Sequence, residues 1–218
     1  MNSPQKLLVL YTGGTIGMQM SEAGLAPASG FEARLRAEQA LHPERPAPAW
    51  QFRELSPPID SANMRQANWL AMRDAIVQAV DHDGFDAVLL LHGTDTLAYS
   101  AAALSFLLLG IPVPVLLTGS MLPAGSPGSD AWPNLFGALA ALAEGCRPGV
   151  HLYFDGQLLH GARASKLKSE AFDAFVNMAR PRHGQCLEQL PEALHYRRQR
   201  REVALAVVPL FPGLGATQ

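Results

Sequence analysis

Along the first 155 positions apolar residues come in short unbroken bursts, each followed by a stretch with helical spacing. "KLLVLY" (6–11) is such a burst, stopped by a glycine pair, and it predicts a buried strand. "WQFREL" (50–55) alternates and predicts a strand with one exposed face. "FDAVLLLHG" (85–93), "VPVLLTG" (113–119) and "GVHLYFDG" (149–156) predict three more strands. Between them, residues 30–41, 66–83, 95–110 and 134–145 have helical spacing. The second of these helices places Trp69, Met72, Ile76, Val77 and Val80 on one face. Strands that are apolar on both faces and alternate with helices predict an α/β fold: a mainly parallel, Rossmann-like or flavodoxin-like sheet with helices on both faces. "MQMSEAGLAPASG" (18–30) carries neither period and reads as a loop.

The pattern changes after about residue 175. "ARPRHGQCLEQLPEALHYRRQRRE" is polar and irregular, and "VALAVVPLFPGLG" (203–215) looks like the first strand of something new. The expected division is one domain over residues 1–190, then a linker and first strand over 191–218. The arginine cluster at 197–201 reads as solvated linker, not as a nucleic-acid contact, because the chain as a whole carries a net charge of −2. The 48% hydrophobic content is enough for one sizeable core.

Composition narrows the picture further. The start of the chain lacks the long apolar region and cleavage site of a signal peptide. The most apolar stretch, "AAALSFLLLGIPVPVLLTG", is broken by Gly110, Pro112 and Pro114. Cys146 and Cys186 have no metal-type spacing and read as reduced cysteines. A cytoplasmic protein with no membrane and no nucleic-acid partner is the expectation.

In a parallel α/β sheet ligands bind beyond the carboxyl ends of the strands. Three strand ends carry Thr or Ser beside Gly: "TGGTIG" (12–17), "HGTDT" (92–96) and "TGS" (118–120). The fourth carries Asp60 and Ser61. Together they predict a pocket lined with hydroxyls and free backbone N–H groups, which suits acyl transfer. A threonine hydroxyl needs a base, and "HGTDT" offers Thr94 with Asp95 beside it; a lysine held nearby completes the requirement. There is no G-x-S-x-G elbow, and His92 reads as structural. No H-E-x-x-H, C-x-x-C or carboxylate cluster suggests a metal. The adjacent glycines of "TGGTIG" fit a dinucleotide fingerprint or a phosphate loop poorly, and both readings stand well below the hydrolase one.

"VLYTGGTIG" (9–17) and "AVLLLHGTDTL" (87–97) resemble the two signatures of the bacterial L-asparaginase family. "PIDSANM" (58–64), "LLTGSMLP" (116–123) and "GARASKLKSEAFDAF" (161–175) are similar to its other active-site loops, and residues 15–30 look closer to the cytoplasmic type I enzymes. The resemblance implies hydrolysis of L-asparagine to aspartate and ammonia, in some members also of L-glutamine, without a cofactor. It implies Thr15 as nucleophile and Thr94, Asp95 and Lys166 as a second catalytic cluster. Lys166 is taken over Lys168 because "ARASK" matches the family loop better. Ser61 would grip the substrate α-carboxylate and Asp95 its α-amino group, with Gly14, Asp60, Gly93 and Ser120 as further substrate-binding positions.

Two departures stand out. The loop tyrosine that helps activate the family's nucleophile is matched here by Leu25, and losing an acid/base group costs about 10²–10⁴-fold in rate. Family members also carry a second domain, and that domain of a neighbouring subunit completes the site, so a homo-oligomer is expected of the full-length form. Two other function classes stay open. One is a degenerate domain that binds an amino acid without turnover. The other is the asparaginase-like subunit of a tRNA-dependent amidotransferase, for which a charge of −2 is a poor match.

Overall fold

The first apolar burst forms β1 (Leu7–Gly13), and all seven of its residues are buried. The computed structural model describes residues 3–21, 24–45, 47–179 and 189–204. After β1 come the short hairpin β2 (Met18–Ser21) and β3 (Gly24–Pro27), α1 (Phe31–Leu41), β4 (Trp50–Ile59) and α2 (Gln66–Asp81). They are followed by β5 (Ala87–Leu91), α3 (Leu97–Leu107), β6 (Pro114–Thr118), α4 (Ala131–Ala143), β7 (Gly149–Phe154) and β8 (Gln157–His160). The small strands β9 (Ala164–Lys166) and β10 (Phe175–Asn177) pair antiparallel.

The main sheet has the order β4-β1-β5-β6-β7-β8. Its first five strands are parallel and β8 is antiparallel to β7. Taken in chain order, the parallel strands run 2-1-3-4-5, the flavodoxin-like arrangement, whose switch point lies between β1 and β5. The unbroken apolar strands follow from burial on both faces. Leu8, Leu10, Val88, Leu90, Val115 and Leu117 face α2 and α3. Leu7, Val9, Tyr11, Ala87, Leu89, Leu91 and Leu116 face α1 and α4.

That distribution fixes the hands of the crossovers. β1 leads to β4 on one side through α1, and β4 returns past β1 to β5 through α2 on the opposite face. β5 leads onward to β6 through α3, on the same face as α2. These three connections share one hand. The next step, β6 to β7, runs in the same direction, yet α4 lies on the face of α1. The β6–α4–β7 connection therefore has the opposite hand, against the strong right-handed preference of such units. Residues 119–130 make this change of face, crossing over the end of the sheet; Ala124 N–H donates to the Ile16 carbonyl (3.3 Å) on the way.

Three readings of the sequence are corrected. The stretch 18–30 is not a loop: Met18 pairs with Pro27 and Met20 with Leu25 in a two-stranded hairpin. A hairpin of four-residue strands has too few positions for a clear alternation. Helix α4 begins at Ala131, not Asn134; Pro133 in its first turn needs no N–H partner there. The arginine-rich segment, where it is described, is docked on the domain through Tyr196 and its backbone, while Arg197, Arg198 and Arg201 stay exposed to solvent as expected. Tyr196 is buried, its N–H donates to the Leu109 carbonyl (2.8 Å), and its hydroxyl donates to Asp81 (2.8 Å). Arg197 forks onto the same carboxylate, which these bonds hold below its usual range. Arg73, buried in α2, donates to the carbonyls of Tyr196 and Arg198. An irregular segment has free carbonyls, and a buried guanidinium uses them. Gln66 and the Val203 backbone exchange two further bonds (2.9 and 3.0 Å). Cys146 is a free, buried cysteine; Cys186 and all but the first two residues of the strand expected over 203–215 lie outside the described residues.

Replacing Tyr196 with alanine is expected to lower stability by about 3–5 kcal/mol, as for a buried aromatic ring. Tyr196→Phe keeps the ring and loses only the bond to Asp81, about 1 kcal/mol. Urea unfolding of the two variants checks this; equal, small losses would mean that residues 189–204 are not part of the folded unit.

Candidate active site

The site forms at the switch point because three loops can touch there only where side chains are absent. Gly14 follows β1 with φ +93°, and a Cβ on it would lie 2.4 Å from the Gly93 nitrogen. A Cβ on Gly93 would in turn lie 2.3 Å from Ser61 Oγ. The turn after β1, the turn after β5 and the loop after β4 are thus in direct contact. Gly119, after β6, packs equally closely on the His92 carbonyl. The hydroxyls of Thr12 and Thr96 bind across the same junction, to the Leu91 carbonyl (2.9 Å) and the Ser61 carbonyl (2.9 Å). Neither residue was singled out from the sequence. The signals were Thr12 at the head of "TGGTIG" and the second threonine of "TDT".

Thr15 opens a single 3-10 turn, Thr15–Gly17, directly after Gly14. It is half-buried, and its hydroxyl has no hydrogen-bond partner among the described residues. The turn is held from behind. Arg34 of α1 donates to the Gly17 carbonyl (2.7 Å), and the Tyr11 ring packs so closely on Gly17 that no side chain fits there. Arg34 Nε and Nη1 are buried without hydrogen-bond partners, and burial holds this guanidinium below its ordinary pKa. Burial also pushes the Tyr11 hydroxyl up, with the Glu54 charge adding to the effect.

Across the junction, Lys166 Nζ donates to Thr94 Oγ1 at 3.1 Å and lies 3.6 Å from Asp95 Oδ1. Thr94 is buried, whereas the Asp95 side chain is 63% exposed at the rim. β10 puts Lys166 there. It pairs Phe175 with Lys166 in register, and the Phe175 ring lies 4.7 Å from that of Phe154 in the core. Lys168, two residues on, points elsewhere and pairs with Asp173.

Ser61 is buried against Gly93. Asp60 is spent on its own turn, accepting from Ala62 N–H (3.1 Å) and Asn63 Nδ2 (2.8 Å). Ser120 donates to the Leu122 carbonyl. Asp130 accepts from the N–H groups of Met121 and Leu122 and from Asn134. Those two residues shape the crossing loop. Leu25 stands on the hairpin beyond Thr15 with half of its surface exposed. Tyr99 is exposed beside Lys166, in a cleft of about 260 Å³ lined also by Ala98, Ala102, Ala164 and Ser165. A smaller cavity of about 80 Å³ lies on the other flank, against Gly13, Gly14, Met18 and Ile59.

His92 is buried below this floor. Its Nδ1 lies 2.7 Å from the Gly93 carbonyl and its Nε2 lies 2.8 Å from Ser100 Oγ. Burial pushes its pKa down to about 4, so the ring is neutral at pH 7. Among the described residues no group of three His, Cys, Asp or Glu side chains could hold a metal ion, and no helix is long and apolar enough to cross a membrane.

With this geometry in hand, comparison with known proteins is decisive. Residues 6–200 match the family described as "Asparaginase, N-terminal". The chain belongs to the asparaginase family. It is 36% identical to L-asparaginase 1 of Escherichia coli K12, over 97% of this chain and 65% of that protein. It is 37% identical to the L-asparaginase of Thermococcus kodakarensis, over 81% of this chain and 52% of that one. The crystal structure of L-asparaginase I from Vibrio cholerae superimposes with a TM-score of 0.71 at 35% identity, covering 83% of this chain and 53% of that one. The chain thus spans between half and two thirds of the length of these relatives.

Two outcomes follow from the geometry. Gly14→Ala is expected to unfold the chain or cost more than about 3 kcal/mol, since backbone must move at a strained φ; circular dichroism melting reads this. His92 sets a pH dependence. Its folded pKa of about 4 lies below the ordinary 6.5, so as pH falls the unfolded chain takes up the proton first. Stability from this residue is whole above pH 6.5 and lost down to pH 4, roughly 3 kcal/mol in all. The free energy of unfolding in urea should fall by that much more for the wild type than for His92→Asn across this window.

Proposed function

We propose that this chain is the nucleophile-bearing part of an L-asparagine amidohydrolase. The observation that carries the reading is the Lys166–Thr94 contact with Asp95 beside it, one glycine–glycine contact away from Thr15. The names of the relatives supply the substrate class. Thr15 Oγ1 adds to the side-chain amide carbon of asparagine while its proton leaves toward the Thr94–Lys166 pair. Backbone N–H groups of the glycine turns stabilise the oxyanion. The C–N bond then breaks, the nitrogen takes up the proton, and ammonia leaves an aspartyl ester on Thr15. Water, losing a proton to the same pair, attacks the ester carbon; the ester C–O bond then breaks, the pair returns that proton to Thr15 Oγ1, and aspartate leaves. Ser61 binds the substrate α-carboxylate and Asp95 its α-amino group; L-glutamine is a second substrate to assay. The reading further places the protein in the cytoplasm and the full-length form in a homo-oligomer, with a second domain closing the pocket.

Leu25 favours one competing reading, a domain that binds an amino acid without turning it over. Leucine carries no proton, and the exposed position leaves Thr15 without that help.

Ammonia release from L-asparagine separates the two. Under the hydrolase reading, Thr15→Ala lowers kcat by at least about 10³-fold, Lys166→Met by roughly 10²–10⁴-fold, and Leu25→Tyr raises it. Calorimetric binding of L-aspartate with no ammonia released, before or after Leu25→Tyr, would instead establish the binding domain.

A further inference from the structure

His92 has no part in the chemistry above, yet both of its ring nitrogens are tied, one of them to the glycine at the centre of the site. Trp69 Nε1–H, on α2, donates to Ser100 Oγ (2.8 Å), on α3. Ser100 Oγ contacts His92 Nε2 (2.8 Å), and His92 Nδ1 contacts the Gly93 carbonyl (2.7 Å). His92 and Ser100 are both buried. The direction of each bond follows from chemistry. A carbonyl only accepts, so the imidazole proton sits on Nδ1; Nε2 is then an acceptor, and the Ser100 hydroxyl donates to it. Trp69 fills one lone pair of Ser100 and leaves its proton free for this bond. The relay Trp69 → Ser100 → His92 → Gly93 O has a single consistent polarity.

Its end point is the glycine that touches both Gly14 and Ser61. A trans peptide is planar, so its carbonyl and the next residue's N–H point in opposite directions. Holding the Gly93 carbonyl toward the buried ring therefore turns the Thr94 N–H away from it. That N–H has no backbone partner among the described residues.

We propose that His92, held as its Nδ1–H tautomer by Ser100 and Trp69, is a positioning residue that fixes the Gly93–Thr94 peptide with the Thr94 N–H turned toward the substrate. The inference rests on the amidohydrolase reading for its kinetic consequence, but not for its geometry. The relay acts on the transition state through the peptide, so it affects kcat and leaves KM for asparagine little changed.

The tautomer is read directly by long-range proton–nitrogen correlation on the chain labelled with nitrogen-15 histidine. Nδ1 protonated and Nε2 bare is the expected result; a proton on Nε2 overturns the proposal whether or not the protein is active. His92→Asn and His92→Gln then separate positioning from packing. The asparagine amide takes the place of Nδ1 and donates to Gly93 O; the glutamine amide reaches the place of Nε2 and does not. Both leave part of the ring's volume empty and should melt at similar temperatures. We expect kcat to fall roughly 10²-fold in His92→Gln, the scale for a lost or misaimed oxyanion donor, and to recover at least tenfold of that in His92→Asn. The Thr94 amide resonance should move in the glutamine variant and stay near its wild-type place in the asparagine one. Equal kinetic loss in both variants, or equal displacement of the Thr94 amide, overturns the proposal. If the wild type releases no ammonia, the amidohydrolase reading fails, and the tautomer with the Thr94 resonance still decides the relay.

Discussion

Everything at the carboxyl edge of this sheet depends on the backbone of Gly14 lying against that of Gly93. The two central strands β1 and β5 end side by side, in register from Leu7–Ala87 to Tyr11–Leu91. The chain must turn away from both in the same small volume. A methyl group at either glycine would occupy space held by backbone or by Ser61. With no side chains there, the two turns close to contact, and the residues that follow them, Thr15 and Thr94–Asp95, fall on opposite sides of one seam. The switch point of the sheet supplies the place; the glycines supply the distance. Neither would gather these groups alone.

The seam is held by groups that do not touch it. Arg34 and Tyr11 brace the Thr15 turn from the α1 face. The crossing loop over residues 119–130 braces it from above, through Ala124 N–H on Ile16. That loop reaches the turn because the β6–α4–β7 connection changes face, and a crossover of the common hand would have kept it on the α3 side. The rare hand thus has a local consequence: it lays Ser120 and Asp130 across the sheet edge, where both act inside the loop.

The sheet was legible because its strands are buried on both faces, and the runs at 6–11, 85–93 and 113–119 need no periodicity to be read. Three of the four strand-end motifs were legible for the same reason, each standing where an apolar run stops; the fourth, Asp60-Ser61, follows the alternating and largely exposed β4. The docking of Tyr196 was not. It depends on Asp81, Arg73 and Leu109, each 87 or more positions away in the chain, and composition shows only a polar stretch. The hairpin after Thr15 was hidden by its shortness. The relay through His92 lay in plain view as single residues, but the bonds that give it direction link Trp69, Ser100 and Gly93 across two helices and a strand end.

The site is uneven in a way that bears on its chemistry. Thr94, Ser61, Gly93 and His92 are buried on the sheet, where few alternative positions exist and electrostatic interactions are little screened. Asp95 and Leu25 stand at the rim, in contact with water. A carboxylate so exposed holds a substrate ammonium weakly by itself. The Lys166–Thr94 pair, by contrast, has 82% of the lysine side chain's surface covered (18% exposed) and is already in hydrogen-bond contact. Under the proposed reading the chemistry is therefore preorganised on the floor, while recognition of the amino acid's α-amino end is left to a wall still open to solvent. A covering element over Asp95 and Leu25 would strengthen binding by excluding water there, without changing any group on the floor.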